Sequence, residues 1–114
     1  MAFASGLHAE AACAAVLVAE GWTILGQRLR TEAGEVDMVA EREGLLAFIE
    51  VKHRPTLAGA AVSLSARQRA RLLAAGEILL GENPTWGKVG VRFDVILVDA
   101  DGLVRRVADA FRLE

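Results

Sequence analysis

The sequence predicts an α/β sandwich around a mixed central sheet. Three observations carry that reading. The pattern of apolar residues runs in the order helix, hairpin, helix, hairpin, which layers helices against a sheet. A short connection joins the two central extended runs, which makes them an antiparallel pair. A length of 114 residues, with 54% hydrophobic and 25% charged side chains, suits one domain over residues 1–114 with a buried core rather than a disordered chain.

Residues 5–20 read as a helix. Ser5 is a plausible N-cap, Ala is plentiful, and Gly21 is a stop signal. Leu7, Glu10, Ala14 and Leu17 fall on one face by the three-and-four spacing, so the Glu10 carboxylate has apolar neighbours. Residues 22–30 look extended, with Trp22, Ile24 and Leu25 as buriable side chains. Gly34 precedes a strand over 35–40. Glu41-Arg42-Glu43-Gly44 makes a turn, and 45–52 returns as a second strand rich in Leu, Phe, Ile and Val. Arg54-Pro55 ends it, and 55–64 form a loop of small residues. Ser65 opens a second helix reaching about Leu80, with the S-x-x-Q spacing of a capping box to Gln68. Leu72, Ala75 and Leu79 mark its buried stripe, while Arg67, Arg69 and Arg71 crowd its first turns. Glu82-Asn83-Pro84 breaks that helix. A strong strand follows over 89–98, then the turn Asp99-Ala100-Asp101-Gly102 and a short returning strand over 103–107.

Thirteen Lys plus Arg against fifteen Asp plus Glu give a net charge of -2, which excludes a polybasic binder. An enzyme acting on nucleic acid is not excluded, because acids that hold a metal offset basic residues placed elsewhere. The single cysteine, Cys13, rules out an intrachain disulfide and a Cys-rich zinc site, and it suits a reducing, cytoplasmic setting. No signal peptide or membrane-spanning run is expected: the apolar stretch from Ala11 to Ala19 lacks a basic flank and is too short.

The chemistry concentrates in the central hairpin. Side chains two apart on a strand share a face, so Glu35 and Asp37 point one way, as do Glu50 and Lys52 with Leu46 and Phe48. Two carboxylates on neighbouring strands suit a hard divalent cation that prefers oxygen ligands, with the Val51 carbonyl as a further ligand. Lys52 can position or deprotonate the attacking water, or stabilise charge on a five-coordinate phosphate. The set describes phosphodiester hydrolysis. The plainer account is a solvated Glu50/Lys52 strand end with Asp37 pairing Lys52. Asp37 on the adjacent strand and Glu10 on an apolar helix face weigh toward the site.

The plain accounts hold elsewhere. His8, His53 and Cys13 match no zinc spacing, and His53 points away from Lys52 at a strand end. Glu35 either lines the site or edges the hairpin. Arg92 and Asp94 share a face, and either their contact or backbone hydrogen bonds give Asp94 a structural role. Cys13 and Trp22 suit the core, and Trp86 either packs its loop or stacks on a base.

Gly6-x-x-x-Glu10, Gly21-Trp22-x-Ile24-Leu25, Gly34-Glu35-Val36-Asp37, Phe48-Ile49-Glu50-Val51-Lys52-x-Arg54 and Arg92-Phe93-Asp94-Val95 occur in that order. Together they resemble the YraN-like family of small bacterial proteins described as predicted endonucleases. That family is placed in the PD-(D/E)XK, restriction-endonuclease-like superfamily, which includes archaeal Holliday-junction resolvases. The resemblance spans roughly residues 6 to 111. It implies a restriction-endonuclease-like α/β/α sandwich and a structure-selective, Mg²⁺- or Mn²⁺-dependent DNA endonuclease. Asp37 and Glu50 match the metal-binding acids, Lys52 the motif lysine, and Glu10 the first-helix glutamate.

Two positions depart from the pattern. Val36 stands where the superfamily has proline, and Gln68 where the family often has lysine. Gln68 either hydrogen-bonds a phosphate or water, or completes the cap with Ser65. Arg67 or Arg71 is then available to supply the missing charge. Arg28, Arg30, Arg54, Arg67, Arg69 and Arg71 are candidates for phosphate contacts, which position nucleic acid without reading sequence. Likeness to the resolvases implies branched or flapped DNA as substrate and a homodimer. The contrasting expectation is a catalytically weak or inactive module of the same fold that binds nucleic acid or a DNA-processing protein.

Overall fold

The computed structural model describes residues 6–54 and 64–111. Ser5, the side chain of Leu7 and the loop from Pro55 to residue 63 lie outside what it describes. Seven elements follow one another: α1 (Gly6–Ala19), β1 (Thr23–Thr31), β2 (Gly34–Arg42), β3 (Leu45–His53), α2 (Ala66–Glu82), β4 (Gly90–Val98) and β5 (Val104–Phe111).

The strands form a five-stranded sheet in the order β1-β2-β3-β4-β5. All neighbours are antiparallel except β3 and β4, which run parallel because α2 carries the chain back across the sheet between them. The mixed sheet is thus as expected. The last strand runs on to Phe111, past residue 107. The turn expected over 41–44 tightens to Glu43 and Gly44, since Arg42 still pairs with Leu45. Both turn residues take positive φ, 53° and 83°, the pair of values a two-residue hairpin needs.

Strand alternation divides the core into two layers. Ala9, Cys13 and Leu17 of α1 pack with Trp22 on Met38, Ala40, Ala47, Ile49, Ile96 and Val98. On the other face Leu72, Ala75 and Leu79 of α2 pack on Val39, Leu46, Phe48, Phe93 and Val95. Phe48 and Phe93 stack with centroids 5.2 Å apart. Gly76 lets α2 lie directly on that pair, because a Cβ there would come within 3.1 Å of Phe93. Trp86 is half-buried against the same layer, so it packs its loop into the core.

The helix ends are specified locally. After α1, Gly21 takes φ +94°, Gly21 N–H donates to Val18 and Trp22 N–H to Leu17, closing a Schellman motif. At the start of α2, Ser65 Oγ accepts from Gln68 N–H and Gln68 Oε1 accepts from Ser65 N–H. The capping box read from the sequence is therefore present, and the Gln68 carbonyl oxygen is committed to it.

Candidate active site

The β2/β3 ladder stops at the pair Met38↔Ile49. Beyond it the strands part, and a side chain takes over from the backbone. Asp37 Oδ2 accepts the Val51 N–H at 2.8 Å. The simple alternation along β2 breaks at this point. Val36 joins the α2-side layer, although Met38 and Ala40 lie in the α1-side layer. Asp37 and Glu35 both act electrostatically on Glu10, as the expected shared face requires. Asp37 is held by Val51, and Glu35 pairs with Arg30 at 3.5 Å.

Glu50 follows on β3, on the α2 side and only 8% exposed. Its carboxyl is pushed above the ordinary carboxylate range by burial first and by the Asp37 charge next. A hydrogen-bond contact with Asp37 adds to that effect, while Lys52 and Arg71 oppose it. Lys52 Nζ lies 3.6 Å from Glu50 Oε2 and Arg71 Nη2 3.9 Å from the same oxygen. Two neighbouring carboxyl groups, Glu50 buried and Asp37 half-buried, are flanked by two cations.

Glu10 approaches from the other side of the sheet. It too is 8% exposed, and its Oε1 is buried without a hydrogen-bond partner among the described residues. Burial raises its pKa, and so does the nearby Asp37 charge; Arg28 and His53 act in the opposite sense. Asp37, Glu50 and Lys52 are therefore brought together from β2 and β3, and Glu10 of α1 lies near enough to Asp37 for the two charges to interact. Val51 enters through its N–H, which orients Asp37.

The predicted basic residues divide. Arg71 reaches the acids. Arg28 sits opposite Asp37 between the pairs Gln27↔Met38 and Leu29↔Val36, with a left-handed φ of 54° that a non-glycine residue rarely adopts. Arg30 is taken by Glu35, Arg54 Nη1 donates to the His53 carbonyl, and Arg69 Nη1 donates to the Leu64 carbonyl. Arg67 is exposed on α2. His53 is a residue that the sequence reading undervalued. It is half-buried, and its charge acts on Glu10, as its odd-numbered place on β3 with Ile49 and Val51 could have signalled.

The donor set fits a hard cation of the Mg²⁺ or Mn²⁺ type. Oxygen ligands are available from Asp37 and Glu50, which repel one another, and Glu10 carries a buried oxygen without a hydrogen-bond partner. Among the described residues no group of three or more His, Cys, Asp or Glu side chains is placed to hold a metal, so the fit rests on two carboxylates. No helix among them is long and apolar enough to cross a membrane.

Comparison with known proteins shows the family of the chain. The model of the uncharacterised protein family UPF0102 matches residues 9–98. A UPF0102 protein of Granulibacter bethesdensis is 59% identical over 109 residues, 96% of this chain and 69% of that protein. Another, from Azorhizobium caulinodans, is 50% identical over 113 residues, 99% of this chain and 86% of the relative. A third, from a Bradyrhizobium species, is 44% identical over 110 residues, covering 96% and 78%.

Proposed function

The chain belongs to the uncharacterised protein family UPF0102, and from that premise we propose that it is a metal-dependent DNA endonuclease of the restriction-endonuclease-like, PD-(D/E)XK class. The observation that carries the reading is the placement of Asp37 beside the end of β3, bonded to the Val51 N–H at 2.8 Å next to Glu50, with Lys52 3.6 Å from Glu50. A structural ion pair would not set a second acid beside the buried Glu50. A divalent cation bound there supplies a Lewis acid for the phosphoryl oxygen and lowers the pKa of water.

The protein's own contributions follow from the geometry. The Val51 N–H fixes Asp37, and the Val51 carbonyl is offered as a further ligand. Lys52 positions the attacking water and carries positive charge toward the phosphate. Glu10, with its unsatisfied oxygen, accepts a hydrogen bond from water at the back of the site. Branched or flapped DNA is the proposed substrate and a homodimer the proposed assembly, both by analogy with the resolvases.

A second reading keeps the fold and drops the turnover: a module that binds nucleic acid or a DNA-processing protein. It is favoured by the absence, among the described residues, of a three-ligand metal group. The experiment is cleavage of labelled single-stranded, duplex, flap and four-way-junction DNA with Mg²⁺ or Mn²⁺, using wild type, Asp37→Ala and Lys52→Ala. Products from wild type alone support the nuclease. No products, or equal products from all three proteins, favour the binding module.

A further inference from the structure

We propose that Arg71, held in place by the missing side chain of Gly34, is the residue that grips the phosphate to be cut. This inference rests on the nuclease reading and assigns a role within that site. Gly34 opens β2, three residues before Asp37. A Cβ at Gly34 would lie 2.7 Å from both Cγ and Cδ of Arg71, and 3.4 Å from its Nε. The arginine stem therefore lies across the start of β2 in a groove that only glycine leaves open. That bed carries the guanidinium from the second turn of α2 to the carboxyl pair.

The contact it makes there is incomplete. At 3.9 Å, Nη2 is within ion-pair range of Glu50 Oε2 but beyond hydrogen-bond length. The side chain stays 44% exposed, so N–H donors face outward from the rim of the cluster. An arginine serving only as a structural counter-ion looks different in this same molecule: Arg92 is 18% exposed and bonds Asp94 at 3.1 Å. The guanidinium fork suits two oxygens of one phosphate, which a point charge does not match as well.

The other basic groups on this side are engaged or differently placed. Lys52 is 19% exposed beside Glu50, Arg69 bonds the Leu64 carbonyl at 2.6 Å, and the Gln68 oxygen closes the helix cap. Arg71 thus supplies the charge that glutamine at position 68 does not.

The test uses the full chain with two variants. Arg71→Met keeps a stem over Gly34 and removes the charge. Arg71→Lys keeps the charge and removes the fork. Two quantities are read: the salt dependence of DNA binding in Ca²⁺, and kcat and KM for cleavage in Mn²⁺ of the best DNA in the panel. Loss of one phosphate contact lowers the slope of log affinity against log salt by about 0.7–0.9. The expected result is that loss in Arg71→Met with a fall in kcat/KM of about 100-fold, while Arg71→Lys restores the slope and only part of kcat. A slope unchanged in Arg71→Met, or cleavage within about twofold of wild type, overturns the assignment. Wild type that binds DNA but cuts none overturns the nuclease reading, and the salt slope then decides the phosphate contact alone. Wild type that neither binds nor cuts DNA overturns both. Unfolding midpoints of both variants, expected to match wild type, separate these outcomes from misfolding.

Discussion

Glu50 and Asp94 are buried acids on neighbouring parallel strands, each with a basic residue two positions away, and their cations are placed differently. Asp94 is 2% exposed, bonded by Arg92 at 3.1 Å, with Arg92 in turn lying 5.2 Å from the Trp22 ring. Arg42 covers that ring from 4.9 Å. The pair lies within the α1-side layer, with the Arg92 Nε buried and without a hydrogen-bond partner among the described residues. Glu50 faces the α2 side, has its cations at 3.6 and 3.9 Å, and sits against a second acid. A buried charge with a close partner is structure. A buried charge with a like neighbour and loosely placed cations is, on the proposed reading, where a further cation would bind.

The largest expected effect tests the Arg92–Asp94 pair. Arg92→Ala removes the guanidinium bonded to the buried Asp94 and costs about 3–5 kcal/mol by chemical denaturation. Removing both partners together, in Arg92→Met with Asp94→Leu, costs much less; an equal cost would show that Arg92 acts through Trp22 packing rather than through Asp94. The open cluster gives the next effect. At pH 7, Mn²⁺ at about 100 times its dissociation constant stabilises wild type by about 2.7 kcal/mol, seen as a rise in melting temperature absent in Asp37→Asn.

Glu50→Gln separates the two acids further. It abolishes metal-dependent cleavage, by more than about 100-fold, yet in EDTA at pH 7 the protein is no less stable, because a repelled buried charge is removed. Thermal melts and the cleavage assay check the two halves.

The smallest effect is in pH dependence without metal. Glu50 and Glu10 have raised pKa values in the folded chain, so the native state holds more protons than the unfolded state above their ordinary value near 4.5. Their contribution to stability is present at low pH and is lost as pH rises through the folded values. In EDTA, Glu50→Gln flattens that decline; an unchanged profile would show that Glu50 does not carry it.

The contrast between the acids was only half legible in the sequence. Arg92-x-Asp94 and Glu50-x-Lys52 are the same pattern, and alternation placed each pair on one face. Burial of Glu10 followed from helix spacing, and the Ser65–Gln68 cap from its motif, because both depend on residues close in sequence. The departure of β2 from β3 at Asp37 did not follow, since it reverses the alternation between Val36 and Met38. The reach of Arg71 over Gly34 joins residues far apart in the chain, and periodicity carries no information about it. His53 was undervalued because its effect on Glu10 depends on how α1 crosses the sheet.

The most direct test is Mn²⁺ binding to the metal-stripped chain at pH 7, followed by electron paramagnetic resonance, for wild type, Asp37→Asn and Glu50→Gln. The account predicts that wild type binds Mn²⁺ and that each single variant loses it while remaining folded. Wild type that binds no Mn²⁺, or variants that bind it as wild type does, would contradict the claim that these two carboxyls form a metal site.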